Sequence, residues 1–126
     1  MFSRIIGTVA KGEGLGRQLG FPTANLILAN KNALKPGVYA ARAKIIGEEK
    51  IYAAAAHVGT RPTFENLPPT FEVHLLDFKD RDLYGEQIEV VAMKWLREIK
   101  KFDSEEELVE AIKQDCERAR EIYKES

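Results

Sequence analysis

Thr23 and Asn25 are separated by one small residue, Ala24, and follow directly on Phe21-Pro22. Pro22 fixes its own φ and biases Phe21 towards an extended conformation. In an extended segment residues two apart point to the same side. The Thr23 hydroxyl and the Asn25 amide oxygen therefore aim at one place while Ala24 faces away. Upstream, Lys11-Gly12-Glu13-Gly14-Leu15-Gly16-Arg17-Gln18-Leu19-Gly20 is an arc of glycines carrying cations. Such an arc reaches positive φ and brings backbone N–H groups close to a ligand. Gly12, Gly14, Gly16 and Arg17 are thus candidates for binding phosphate, and Thr23 and Asn25 for binding both phosphate and its metal. Neutral oxygens suit a Mg2+ ion whose charge phosphate already balances. The spacing is neither a Walker loop nor a dinucleotide fingerprint, because an extended segment follows rather than a helix. Alone, the arc reads equally as a flexible turn, and Thr and Asn equally as turn residues satisfying backbone groups. The combination favours function.

A second candidate lies in Phe71-Glu72-Val73-His74-Leu75-Leu76-Asp77-Phe78. Alternation puts Phe71, Val73 and Leu75 on one face and Glu72 and His74 on the other. Glu72 can serve as a general base that takes a proton from an attacking hydroxyl. By residue type alone a solvated strand face is the better reading. His74 and His57 read as ordinary satisfied imidazoles, and two histidines make no histidine-cluster metal site. Arg61, in Gly59-Thr60-Arg61-Pro62-Thr63-Phe64, can neutralise phosphate, with a solvated loop arginine as the default. The single cysteine, Cys116, excludes an internal disulfide and any multi-cysteine metal site. It stands at core spacing from Ile112 and Ala119, which marks it as a small buried residue rather than a nucleophile.

These side chains need a frame. The chain has 126 residues, 44% apolar and 31% charged, enough for one domain spanning 1–126 with a single core. Net charge is −1, from 19 basic and 20 acidic residues, so no basic excess suits a nucleic-acid partner. The apolar runs are too short to cross a membrane and no signal-peptide pattern opens the chain. A cytoplasmic protein with no membrane partner is expected.

Five segments read as strands: Ser3 to Ala10, Gly37 to Ile46, Lys50 to Val58, Thr70 to Phe78 and Gln87 to Arg97. Glycine and proline breaks separate them, and Gly47-Glu48-Glu49 is short enough for a tight hairpin. So many strands without intervening helices predict an antiparallel sheet closed into a barrel. A helix follows. Ser104-Glu105-Glu106-Glu107 is a capping box whose acids suit the positive end of the helix dipole. Leu108, Ile112, Cys116 or Asp115, Ala119 and Tyr123 then repeat at helical spacing, predicting a helix laid across one face of the barrel. Phe102, two before the cap residue, is placed to seat it.

The order of blocks G-x-G-x-G-R-x-L-G-F-P-T-A-N-L, Gly37-Val38-Tyr39-Ala40, Val58-Gly59-Thr60-Arg61-Pro62-Thr63-Phe64, Glu72 to Phe78, Leu83-Tyr84-Gly85, Leu96-Arg97 and Lys101-Phe102-x-Ser104 resembles riboflavin kinase. The form it resembles is the kinase domain of bacterial bifunctional riboflavin kinase and FAD synthetases. The likeness runs from about Ile5 to Asp115. It implies a mainly β fold, a six-stranded antiparallel Greek-key barrel with a C-terminal α-helix packed on it. It further implies an enzyme that uses ATP and Mg2+ to phosphorylate the ribityl 5′-hydroxyl of riboflavin, giving FMN and ADP. By position, Thr23 and Asn25 would hold Mg2+ and the phosphates, and the Gly12 to Gly16 loop with Arg17 would close over them. Glu72 falls on the family's general base, which reverses the reading from residue type. Arg97 and Phe102, with the start of the helix, fall in the region that closes on the flavin ring. Two departures stand out. His57 replaces the asparagine common in the bacterial family, and the nucleotidyltransferase half of the bifunctional enzyme is not in this sequence. Met1 either starts a single-function kinase or marks a domain otherwise linked in cis to that FAD-synthetase half. In either case these residues alone are expected to make FMN and not FAD.

Overall fold

Which way each strand faces follows from its alternation of small apolar and polar side chains. The computed structural model describes residues 3–10, 23–28, 34–59, 70–79 and 81–126. They form β1 (Ser3–Ala10), β2 (Ala24–Leu28), β3 (Gly37–Ile45), β4 (Ile51–Gly59), β5 (Thr70–Leu75), β6 (Gln87–Arg97) and α1 (Glu105–Glu125). The six strands close into a barrel in the order β1-β2-β5-β4-β3-β6, with every pairing antiparallel. β3, β4 and β5 are successive neighbours, and β6 returns beside β3, which is the Greek-key arrangement. Ala24–Leu28 is a strand beyond the five read from composition.

Ile5 and Val9, Ala24 and Leu26, Tyr39, Ala41, Ala43 and Ile45, Ala54 and Ala56, Phe71, Val73 and Leu75, and Ile88 and Val90 fill the barrel. Their partners in the alternation face outwards. On one side that outer surface is apolar too: Val38, Ala40, Ala53, Leu76 and Leu96 form a second buried cluster with Cys116 and Ala119 of α1. Alanines at 40 and 53 let the helix lie close against β3 and β4. The β3–β6 pairing shifts register between Val38 and Tyr39 and again between Ala40 and Ala41, so Leu96 and Met93 are extra residues on β6. Such bulges re-aim side chains, and here Leu96 reaches the helix-covered cluster.

The helix begins where the capping box placed it. Ser104 has φ −146° and ψ 160°, its hydroxyl accepts from the Glu107 N–H at 3.2 Å, and Glu107 Oε2 accepts from the Asp103 N–H at 3.2 Å. Cys116 is buried, as expected, and burial pushes its thiol pKa up to about 11. The β3–β4 hairpin turns through Gly47 at φ 97°, with the Glu48 N–H donating to the Ile45 carbonyl at 3.0 Å. β5 ends at Leu75, short of the Phe78 that composition predicts, because Asp77 takes φ 54° in the turn that follows. Arg120 on α1 holds that Asp77 carboxylate from both Nε and Nη2 at 3.2 Å.

Candidate active site

The barrel's register draws the separate candidates into one line. Asn25 of β2 stands directly opposite Glu72 of β5, and Glu72 stands directly opposite His57 of β4. His57 in turn faces Val38 of β3, and Val38 faces Arg97 of β6. Residues directly opposite on antiparallel strands have Cβ atoms about 4.5–5.5 Å apart. Asn25, Glu72 and His57 are therefore side-by-side neighbours, all half-buried, on the outer face of the barrel. Both phases of alternation agree. Ala24 and Leu26 flank Asn25 and point inwards, as Phe71 and Val73 do around Glu72.

The Asn25 Oδ1 atom is buried with no hydrogen-bond partner among the described residues. A buried acceptor left without a donor is costly unless a ligand supplies the missing interaction. Thr23 is exposed just before β2, two residues ahead of Asn25. Among the described residues no group of three His, Cys, Asp or Glu side chains forms a metal cage. The donor set at hand is neutral oxygen beside one carboxylate, which fits a divalent cation that brings phosphate ligands with it. Gly12, Gly14, Gly16 and Arg17, the expected phosphate loop, lie outside the described residues, as does Arg61.

The other end of the row is built by the chain leaving β6. Gly37 and Gly59 lie beneath it. A Cβ on Gly59, at φ 135°, would collide with the Ile99 side chain and meet Pro36 at 3.2 Å. A Cβ on Gly37 would collide with the Trp95 indole and lie 2.9 Å from the Arg97 carbonyl oxygen. Arg97 is anchored to the helix: its Nε donates to Asp115 Oδ1 at 3.0 Å and its Nη2 to Oδ2 at 2.8 Å. Its Nη1 donates to the Glu98 carbonyl at 3.1 Å. Phe102 lies over the same guanidinium, 5.6 Å from Cζ to the ring centroid, and Lys100 Nζ is 5.7 Å from that ring. Arg97 and Phe102 are thus brought together with each other and with α1.

Three relationships were beyond sequence reasoning. His57 was read as an ordinary imidazole, yet it shares the outer face with Glu72. Its only signal was its place, two and four positions after outward-facing Ala55 and Ala53. Asp115 was read as an alternative to Cys116 in the helix stripe, whereas both are buried. A carboxylate falling within an apolar stripe was the clue there. Finally, nothing in the spacing of residues 25 and 72 announced that they are opposite one another.

A family model described as "Flavokinase: Riboflavin kinase" matches residues 2–123. The chain is similar, at 44% identity over 88% of its length, to an RNA-binding riboflavin kinase of Bacillus subtilis, of which it covers 47%. It is 42% identical over 94% of its length to the bifunctional riboflavin kinase/FMN adenylyltransferase of Escherichia coli, of which it covers 37%. The chain therefore spans less than half the length of these relatives. Among solved structures, a Streptococcus pneumoniae protein described as a macrolide-efflux protein superposes with a TM-score of 0.82 at 37% identity. That match covers 93% of this chain and 38% of the other. Riboflavin kinase from Trypanosoma brucei superposes with a TM-score of 0.67 at 26% identity, covering 98% and 80% respectively.

Proposed function

This chain belongs to the riboflavin kinase family, and from that premise we propose that it transfers the γ-phosphoryl group of ATP to the ribityl 5′-hydroxyl of riboflavin, releasing FMN and ADP. The observation that carries the reading is the Asn25–Glu72 pairing. Phosphoryl transfer needs the attacking hydroxyl within reach of both the metal-bound phosphate and the deprotonating group. Adjacent strands supply that proximity without a mobile element.

The family uses ATP with a divalent metal, and we take the ion to be Mg2+ on the strength of the oxygen donors. Bound to the phosphates, it would supply neutralisation of the charge that develops in transfer. Thr23 and Asn25 would hold it, the Asn25 Oδ1 gaining a partner it lacks among the described residues. Glu72 accepts the hydroxyl proton as that oxygen attacks, and the flanking strands fix where its carboxylate points. The Gly12 to Gly16 arc and Arg17 are assigned to the phosphates, and Arg97 and Phe102 to the flavin end of the acceptor. No covalent protein intermediate is required, because positioning and charge neutralisation carry most of such a reaction. We place the reaction in the cytoplasm, since ATP is the donor. Among the described residues no helix is long and apolar enough to cross a membrane. The reading needs no second domain. An adenylyltransferase unit joined in cis, as in the relatives named bifunctional, would consume the FMN.

Glu72→Gln tests the mechanism. Its kcat should fall by about 10²-fold or more, the scale of a lost general base, while the riboflavin dissociation constant stays put. Near-normal turnover in that variant would remove Glu72 from the role.

A further inference from the structure

The Arg97–Asp115 pair does more than stability asks of it. Asp115 is the only buried charged residue among those described, its side chain 9% exposed against 27% for Arg97. Desolvating a carboxylate is expensive, and buried ion pairs often exchange for apolar side chains with no loss of stability. The helix around it packs Cys116 and Ala119 against Val38, Ala40, Ala53, Leu76 and Leu96, a packing that requires no charge.

What the pair fixes is geometry. The fork of Arg97 grips both oxygens of Asp115, and the remaining Nη1 holds the Glu98 carbonyl. The flat guanidinium is left as a seat for the Phe102 ring. A guanidinium held at its edge presents its face to an aromatic ring, an arrangement that a lysine cannot reproduce. One side chain thus ties together the end of β6, the backbone leaving it, the ring before the helix cap and the middle of α1. From Glu72 to Arg97 the register runs three strand steps around the closed barrel, through His57 and Val38. Val38, the intervening residue, is buried. Arg97 and Phe102, assigned above to the flavin end of the acceptor, both belong to this assembly.

We propose that Asp115 is a positioning residue for the acceptor: by locking Arg97 it fixes Phe102 as the wall against which the flavin ring packs. The proposal rests on the riboflavin kinase reading. Arg97 acts on the ring through Phe102, because its fork is engaged by Asp115.

Riboflavin dissociation constants from flavin fluorescence quenching, measured beside FMN formation and thermal midpoints, test this. Asp115→Asn should weaken riboflavin binding about tenfold, the scale of coupling within one network, with kcat and the KM for ATP within about twofold of wild type. The double variant Arg97→Met/Asp115→Leu replaces the pair with apolar side chains. It should keep its thermal midpoint within about 3 °C and still weaken riboflavin about tenfold. Phe102→Leu should also weaken riboflavin, and adding Asp115→Asn to it should weaken binding no further. Wild-type riboflavin affinity in Arg97→Met/Asp115→Leu would overturn the proposal, as would independent, multiplying effects of Asp115→Asn and Phe102→Leu. Wild-type protein that forms no FMN would overturn the functional reading and this proposal with it. FMN formation together with unaltered riboflavin binding in the variants would overturn this proposal alone.

Discussion

At Asn25 a single amide oxygen carries the metal half of the account. Its Oδ1 is buried without a partner among the described residues and stands beside Glu72. Asn25→Ala should therefore raise the Mg2+ concentration for half-maximal rate by about tenfold or more, a scale seen when a metal site loses a supporting group. Unchanged metal dependence would return Asn25 to the status of a turn residue. Cys116 makes the opposite kind of claim. Its thiol is held neutral by burial, with a pKa of about 11 against an ordinary 9.0. Because the folded value lies above the unfolded one, the contribution of Cys116 to stability is complete below pH 9. It declines as pH rises towards 11, where the unfolded chain ionises first. An alkylating reagent at pH 9 should spare the folded chain and label the unfolded one rapidly; fast labelling of folded protein would contradict this. At this scale the sequence was uneven. Thr23 and Asn25 could be paired by spacing alone, since two-residue periodicity is local. Glu72 could not be given a role from its type, because its meaning depends on which residues the register sets opposite it.

At the scale of elements, the segment from Arg97 to Ser104 is held between α1 and the mouth of the barrel, and glycine makes that possible. Gly59 combines φ 135° with the Ile99 side chain where a Cβ would go. Gly59→Ala should cost about 1–3 kcal/mol from backbone strain alone. Because Ile99 must move, it should also raise the KM for riboflavin more than the KM for ATP. Urea unfolding and the two KM values check both halves, and equal shifts in the two KM values would contradict the placement of this segment. The helix was legible, since Ser104, Glu107 and the stripe through Ile112, Cys116 and Ala119 encode start, polarity and buried face within one segment. Strand ends were less so. Composition carried β5 on to Phe78, but Asp77 turns the chain. Leu76 then packs under α1, and Phe78 meets Tyr52 edge-on at 5.1 Å. β2 escaped a composition-based reading because outward Ile27 is apolar and 65% exposed, which blurs the alternation of a short strand.

For the whole molecule, barrel closure is what turns scattered motifs into a site. Composition and turn signals were enough to predict an antiparallel barrel, but not that β2 lies against β5 while β6 returns beside β3. That order is a non-local fact; the resemblance to a family supplied the six-stranded Greek key, and the order of its strands comes from the structure. It sets Asn25, proposed for the phosphate side, directly beside Glu72, the proposed proton acceptor, and puts Arg97, proposed with Phe102 for the ring end, three strand steps round the barrel from Glu72. The most direct measurement is to incubate this 126-residue chain with riboflavin, ATP and Mg2+ and to separate riboflavin, FMN, FAD, ATP and ADP over time. The account predicts FMN and ADP appearing one for one, with no FAD. Riboflavin bound but left unphosphorylated while ATP remains intact would contradict it.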